Sequence, residues 1–315
     1  MIETLVSYSN LAVYSAMAVY ALAFIMFTLD LSRRAVVAEP AKVAVRASVN
    51  GYTTVLEQDA PAEVAPKTPP FLRIAMALTV VAWVLHVAAA VLRGAAAGRV
   101  PWANMFEFTL TATAIIIGVF LVVQFWQDIR FIGAFVSGFV LIALGVATVS
   151  FYVDVVPLPP SLQSAWLVIH VFVASLGTGF FALGGALSIV QLLQARREAN
   201  PGSGLKFLGT LPTAEKLETM AYRMVVIGFV FWTFTLIAGA IWAERAWGRY
   251  WGFDTKEVWT FIIWTIFAGY IHARATRGWR GSRSAWLAII GFSAVVFNFT
   301  IVNLFFKGLH AYSGL

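Results

Sequence analysis

The sequence predicts an all-α polytopic integral membrane protein with about eight transmembrane helices, and three observations carry that prediction. Of its 315 residues, 60% are hydrophobic and only 12% are charged, against about 25% charged in soluble domains. Apolar stretches of about 20 residues, each long enough to cross the hydrocarbon core, account for most of the chain. All eleven prolines fall outside those stretches. The unbroken apolar runs lack the alternation of barrel strands, so helices are left as the structure that satisfies every backbone group in lipid. The same composition excludes a large water-facing domain.

The predicted spans cover residues 8–29, 71–92, 106–126, 131–151, 166–194, 222–242, 258–273 and 285–306. The first has no basic flank ahead of it and reads as a span, not a cleavable signal; residues 1–29 thus form the first transmembrane helix. Residues 30–70, with Glu39, Glu57, Asp59, Glu63 and several prolines, read as a flexible cytoplasmic linker without a core of its own. Residues 71–315 form a seven-helix membrane domain. One set of alternate connections holds sixteen Lys and Arg and the other six. The richer set faces the cytoplasm, which puts both termini and the loops 93–105, 152–165 and 242–259 on the outer face.

There are no cysteines, so any thiol chemistry belongs to a partner. The net charge of +7 follows from topology and carries no argument for nucleic acid. Five outer-face cations, Arg93, Arg99, Arg245, Arg249 and Lys256, are unusual. They either meet an anionic ligand or pair with Glu107, Glu244, Asp254, Glu257 or lipid phosphates.

The segment WAERAWGRYWGFDTKEVW, residues 242–259, packs four tryptophans, a tyrosine and a phenylalanine among six charges. An interfacial aromatic belt explains one or two aromatics per helix end and leaves the rest unaccounted for. Trp247 and Trp251 are four apart, as are Gly248 and Gly252, so a helical turn would put the tryptophan pair on one face and the glycine pair on another. Such a platform with Arg and Lys at its margin suits a planar apolar molecule with carboxylates on its edge, as a porphyrin is.

All four histidines, His86, His170, His272 and His310, lie in or just beyond predicted spans, where ionisable residues are costly and mark function by default. His170 and His310 reach the same side as the tryptophan segment. Two neutral imidazoles from different helices can hold one iron from both faces. His272, near the inner end of the seventh span, is either an early contact for a ligand handed outward or a residue snorkelling to the headgroups. His86 reads as a hydrogen bonder between packed helices.

The stretch GAIWAERAWGRYWGFDTKEVWTFIIWTIFAGYIHAR resembles the WWD domain and following helix of the CcsA/ResC haem-handling proteins of system II cytochrome c biogenesis. GRVPWANMFEF at 98–108, PLPPSLQSAWLVIHV at 157–171, YRMVVIGFVFWTFTLIAGA at 222–240 and GLHAYSG at 308–314 extend the likeness. It covers the C-terminal two thirds well and the first 70 residues poorly.

The resemblance implies haem b as substrate or transported ligand, a CcsB/ResB-type membrane partner and thioether formation to the CxxCH cysteines of apocytochrome c. It makes the chain a subunit of a cytochrome c haem lyase in a bacterial plasma membrane, with its active face outside and a thiol-reducing thioredoxin-like protein as a further partner. It assigns His170 and His310 as axial iron ligands and His272 as a transit ligand. Trp242, Trp247, Gly248, Tyr250, Trp251, Asp254, Lys256, Glu257 and Trp259 match the motif that holds the haem. Arg99, Arg245 and Arg249 are candidates for the propionates on our own argument.

The sequence departs from the family at Phe253-Asp254-Thr255, where WDPKE is usual, at Arg99, where GHFP has its histidine, and at Ala311 and Ser313 in the tail. A changed loop path is the expectation. The chemistry expected is templating: thiol addition to a vinyl group needs cysteines and vinyls in register, and holding the haem lowers the entropic barrier. Rival readings are a haem exporter or chaperone with no part in bond formation, and a structural anchor, which would leave the histidines unexplained.

Overall fold

The computed structural model describes residues 1–37, 42–49, 52–59, 70–155, 163–200, 206–306 and 308–310. Eight long helices make up the body: α1 (Ile2–Val37), α2 (Pro70–Ala97), α3 (Met105–Val123), α4 (Gly133–Ser150), α5 (Ala165–Ala199), α6 (Ala214–Trp247), α7 (Thr255–Arg277) and α8 (Ser282–Phe297). Helix α8 runs on through a π-helical turn, Asn298–Val302, to a last turn, Asn303–Phe305.

Each boundary has a local cause. Pro70 opens α2, where its missing N–H costs nothing. Side chains of Asn104, Ser164, Thr213 and Asp254 cap the starts of α3, α5, α6 and α7. Gly248 closes α6 at a φ of 68°, a left-handed conformation that a side chain disfavours.

Seven of these helices are long and apolar enough to cross a membrane: all but α7. Helix α7, the remaining predicted span, has 23 residues but carries Lys256, Glu257, His272 and Arg274, which lower its apolar content. The lipid-facing sides of α2 and α4 are apolar, as Val81, Val84, Val91, Ile142 and Val149 show, and polar groups are turned inward.

Two differences from the sequence reading stand out. Helix α1 continues to Val37, so the stretch read as linker starts as helix. Within that stretch, Lys42–Val49 and Tyr52–Asp59 pair as antiparallel strands β1 and β2, with Val49 opposite Tyr52. The prolines and acidic residues obscured a local signal: runs rich in Val and Thr flanking Asn50-Gly51, a dipeptide favoured in two-residue hairpins.

Helix α5 packs along α6 and α1 along α2, with α3 and α8 against α5 and α7 between α6 and α8. One core runs through α1 to α6, with Tyr20, Phe106, Ile117, Leu183 and Met224 inside it. A second fills the space among α5 to α8, where Phe181 stacks on Phe267 with ring centroids 3.7 Å apart. His86, fully buried, links three helices: its ring nitrogens lie 3.3 Å from Tyr20 Oη on α1 and 3.5 Å from Thr113 Oγ1 on α3. This is the packing role expected of it.

Candidate functional site

The start of α5, the ends of α6 and α8 and the start of α7 meet at one end of the bundle. Helix α6 is about 50 Å long at 1.5 Å per residue, well beyond the ~30 Å hydrocarbon core. Its last turns carry Trp242 and Trp247, whose rings meet edge to face at 4.7 Å. The tryptophan segment is therefore not one loop over 242–259. It is the end of α6, a short connection from Gly248 to Asp254, and the first turns of α7, because Gly248 stops one helix and Asp254 starts the next.

That break separates the tryptophans. Trp247 stays with Trp242, while Trp251 lies against Phe253 and Phe261 and Trp259 packs on Phe297 at 4.4 Å. The four-residue spacing of Trp247 and Trp251 does not place them on one helix face, since no helix spans them. Tyr250, Trp251 and Phe253 are exposed at the connection. Phe253 takes a φ of 56°, left-handed for a non-glycine residue, which is strained backbone at the point where the sequence departs from the WDPKE pattern.

Trp242 is buried and touches both His170 and His310. His170, one turn into α5, stacks on it with centroids 5.9 Å apart and planes 17° apart. His310, beyond the end of α8, meets it edge to face at 5.4 Å and meets Trp247 at 4.8 Å. The imidazole centroids are therefore no more than 11.3 Å apart, the limit set by those two legs through the indole.

Each ring is oriented through Nδ1. That atom of His170 is 3.0 Å from the Thr235 carbonyl oxygen of α6, and that of His310 is 3.0 Å from Asp254 Oδ1. The approach of His170 depends on Gly239, one turn after Thr235: a Cβ there would lie 2.8 Å from His170 Cε1 and 2.9 Å from its Nδ1. Thr235 and Gly239 were not singled out from the sequence. Glycine inside an apolar span was the available signal for a close approach.

The charged residues of the segment serve its own architecture. Asp254 caps α7 through Lys256 N–H and also accepts Leu309 N–H at 2.8 Å, so it ties the tail to the loop. Burial alone would raise its carboxyl, but the bonds from His310, Lys256 N–H and Leu309 N–H outweigh that and bring it down to about 2. Glu257 accepts Gly252 N–H at 2.8 Å and Asp254 N–H at 3.1 Å and lies 3.6 Å from Arg249. Lys256 Nζ donates to Asn303 at the end of α8.

Among the candidate cations, Arg245 is exposed on the last turn of α6. The Arg249 guanidinium lies 5.9 Å from the ring centroid of Trp247, the indole that His310 also meets. Arg99 pairs with buried Glu107 at 2.7 Å, and Arg93, completely buried, pairs with the same carboxylate at 3.2 Å. Of the two readings left open for the cations, carboxylate pairing holds at Arg93, Arg99 and Arg249. Arg99 also lines a cavity of about 280 Å³ with Val100, Trp102, Ser164, Leu167 and Val168, next to the turn that carries His170.

The structure does not bring His272 to this cluster. It is exposed near the far end of α7, roughly 27 Å along the axis from Asp254. Tail residues beyond 310 and residue 307 lie outside the described residues, as do 156–162 ahead of α5. What the arrangement offers is two imidazoles against one indole, with a guanidinium by the neighbouring Trp247.

Residues 102–310 match the family model described as cytochrome C assembly protein. Several proteins named cytochrome c biogenesis protein CcsA are similar to this chain. That of Trieres chinensis is 34% identical over 248 residues, covering 70% of this chain and 80% of its own. That of Guillardia theta is 35% identical over 237 residues, covering 69% and 78%. That of Synechococcus sp. strain CC9902 is 38% identical over 176 residues, covering 50% and 58%. The solved structure of the cytochrome c haem lyase CcmF superposes with a TM-score of 0.64 at 16% identity, over 94% of this chain. The chain spans about half of that structure, 46% of its length, and the likeness is one of fold.

Proposed function

The chain belongs to the cytochrome c assembly protein family, and on that premise we propose that it receives haem b within the membrane and holds it at the outer face of a plasma membrane. There, with a CcsB/ResB-type partner, it presents the haem for covalent attachment to the CxxCH cysteines of apocytochrome c. The observation that carries the reading is the convergence of His170 and His310, from α5 and from the tail after α8, on the single indole of Trp242.

The donor set suits a haem. A carbonyl oxygen and an ionised carboxylate only accept hydrogen bonds, so in both rings Nδ1 carries a proton, and Nε2 is the nitrogen whose lone pair a neutral imidazole would offer to iron. Neutral imidazole nitrogens are axial donors to haem iron. Trp242 and Trp247 supply flat apolar surface and exclude water, and Arg249 and exposed Arg245 supply charge for propionates, Arg99 being held by Glu107. His272 at the other end of α7 is the early contact for a haem arriving from the cytoplasmic side.

The chain's own contribution is orientation. Holding the macrocycle fixed removes much of the entropic cost of aligning two vinyl groups with two cysteines, which a thiol-reducing thioredoxin-like protein keeps reduced. Release follows when the apocytochrome's own histidine displaces one of the two imidazoles.

The test is haem bound to the purified chain and its partner, in wild type and in His170→Ala, His310→Ala and the double variant. Loss of a low-spin bis-imidazole spectrum in the variants supports the reading, and unchanged spectra overturn it. Covalent cytochrome c made by the reconstituted pair and lost in the same variants separates a synthase from an exporter or chaperone, which would carry haem without forming the thioethers.

A further inference from the structure

The two imidazoles have equal hydrogen-bond distances and unequal acceptors. His170 gives its Nδ1 proton to the Thr235 carbonyl, a neutral group within the α6 helix that also serves the backbone ladder. His310 gives its proton to the Asp254 carboxylate. A carboxylate draws the Nδ1 proton more strongly than a peptide oxygen and raises the donor strength of the opposite nitrogen, and such outer partners fix both the tautomer and the ring plane.

The two histidines also differ in what carries them. His170 stands on a long helix and is confined by Trp242 and by the Gly239 face of α6. His310 stands on the segment after α8, and the described anchors of that segment's polar groups both end on Asp254, at Oδ1 from His310 and Oδ2 from Leu309 N–H.

We infer that Asp254 is a positioning residue which docks the tail with His310 Nε2 turned to the haem and makes His310 the stronger of the two iron donors. His170 is then the ligand that the incoming histidine of the apocytochrome displaces first. The inference rests on the haem-holding reading and adds to it an unequal division of labour between the two ligands. Asp254 touches neither iron nor cysteine and acts through His310.

The experiment uses the full chain loaded with haem and compares Asp254→Asn and Asp254→Ser with wild type. Both replacements keep an N-cap for α7 and both remove the negative charge beside His310. The readouts are the haem reduction potential by spectroelectrochemistry, haem affinity, and the rate at which added imidazole exchanges into the site. The expected result is a higher potential, since a weaker donor favours ferric iron less, with affinity lower by about ten- to a hundredfold and exchange no longer confined to one ligand.

Potential, affinity and exchange all unchanged in both Asp254 variants would overturn the inference. Spectra unchanged in His170→Ala and His310→Ala would instead overturn the haem-holding reading beneath it, so the two failures are distinct. If one Asp254 variant does not fold, the other carries the comparison. If both lose their helical circular dichroism, Asp254 is a structural cap and the inference falls.

Discussion

Gly239 is where one added methyl group would act on a histidine from a neighbouring helix. In Gly239→Ala the new Cβ would meet the His170 ring at under 3 Å, so His170 must leave Thr235. The expected result is loss of bound haem with α6 itself intact, since alanine favours a helix by about 1 kcal/mol over glycine. Haem titration and thermal unfolding on the same sample check this. Phe253 gives the opposite case: at a φ of 56° it holds a strained backbone, and Phe253→Gly is expected to stabilise the loop by about 1 kcal/mol. The Asp254 bonds set a pH limit. A depressed carboxyl contributes its docking in full above its ordinary value and loses it as pH falls through about 2. The tail is therefore expected to stay docked across the physiological range, with protease sensitivity near residue 309 rising only in strong acid. At this scale the scarcity of histidine in the sequence drew attention to the two imidazoles that the structure brings to Trp242. It did not supply Thr235 or Gly239, because a backbone carbonyl and a missing Cβ have no signature until a partner ring is placed against them.

The elements meet through buried polar links that fix which helix lies beside which. Glu107 at the start of α3 joins Arg93 at the end of α2 and Arg99 in the connection, with Arg93 and Glu107 fully buried. Glu107→Ala leaves two buried cations without their carboxylate and is expected to destabilise by about 3–5 kcal/mol. Chemical unfolding in detergent measures it. His86→Leu strands Tyr20 Oη between α1 and α2, while Thr113 Oγ1 keeps its bond to the Thr109 carbonyl, and is expected to cost about 1–3 kcal/mol with bound haem unchanged, which separates the packing histidine from His170 and His310. Helix existence was legible because apolar runs free of proline have few alternatives in lipid. Helix ends were less so. The tryptophan segment reads as a loop from its charges, yet Ala243 to Ala246 continue α6 and the Asp254 cap starts α7, leaving only Gly248 to Asp254 between them. The hairpin of β1 and β2 was hidden for a related reason: linker composition outweighed a short alternating pattern.

Across the whole molecule, the ends of α2, α6 and α8 and the starts of α3, α5 and α7 gather on one side, the arrangement that antiparallel neighbours with short connections impose. The absence of native cysteine makes orientation directly testable. A single cysteine replacing Arg245 is expected to react with an impermeant thiol reagent added outside intact cells, and one replacing Glu198 is expected to react only after permeabilisation. The reverse pattern would put the histidine cluster on the cytoplasmic side and remove the premise of presentation to an exported apocytochrome. The sequence by itself determined that this chain is a bundle of membrane helices, which family its motifs resemble, and that histidines and tryptophans are spaced along it in that family's order. Composition and periodicity constrain the first of these because it depends on each residue's own partition between water and lipid, and the quoted motifs carry the resemblance. Only the tertiary structure decided that His170 and His310 share the indole of Trp242, that Asp254 holds one imidazole and a helix carbonyl the other, and that Arg93 and Arg99 are spent on Glu107. Those facts depend on which faces of distant helices pack together, and periodicity gives a helix its apolar face without saying which neighbour that face will meet.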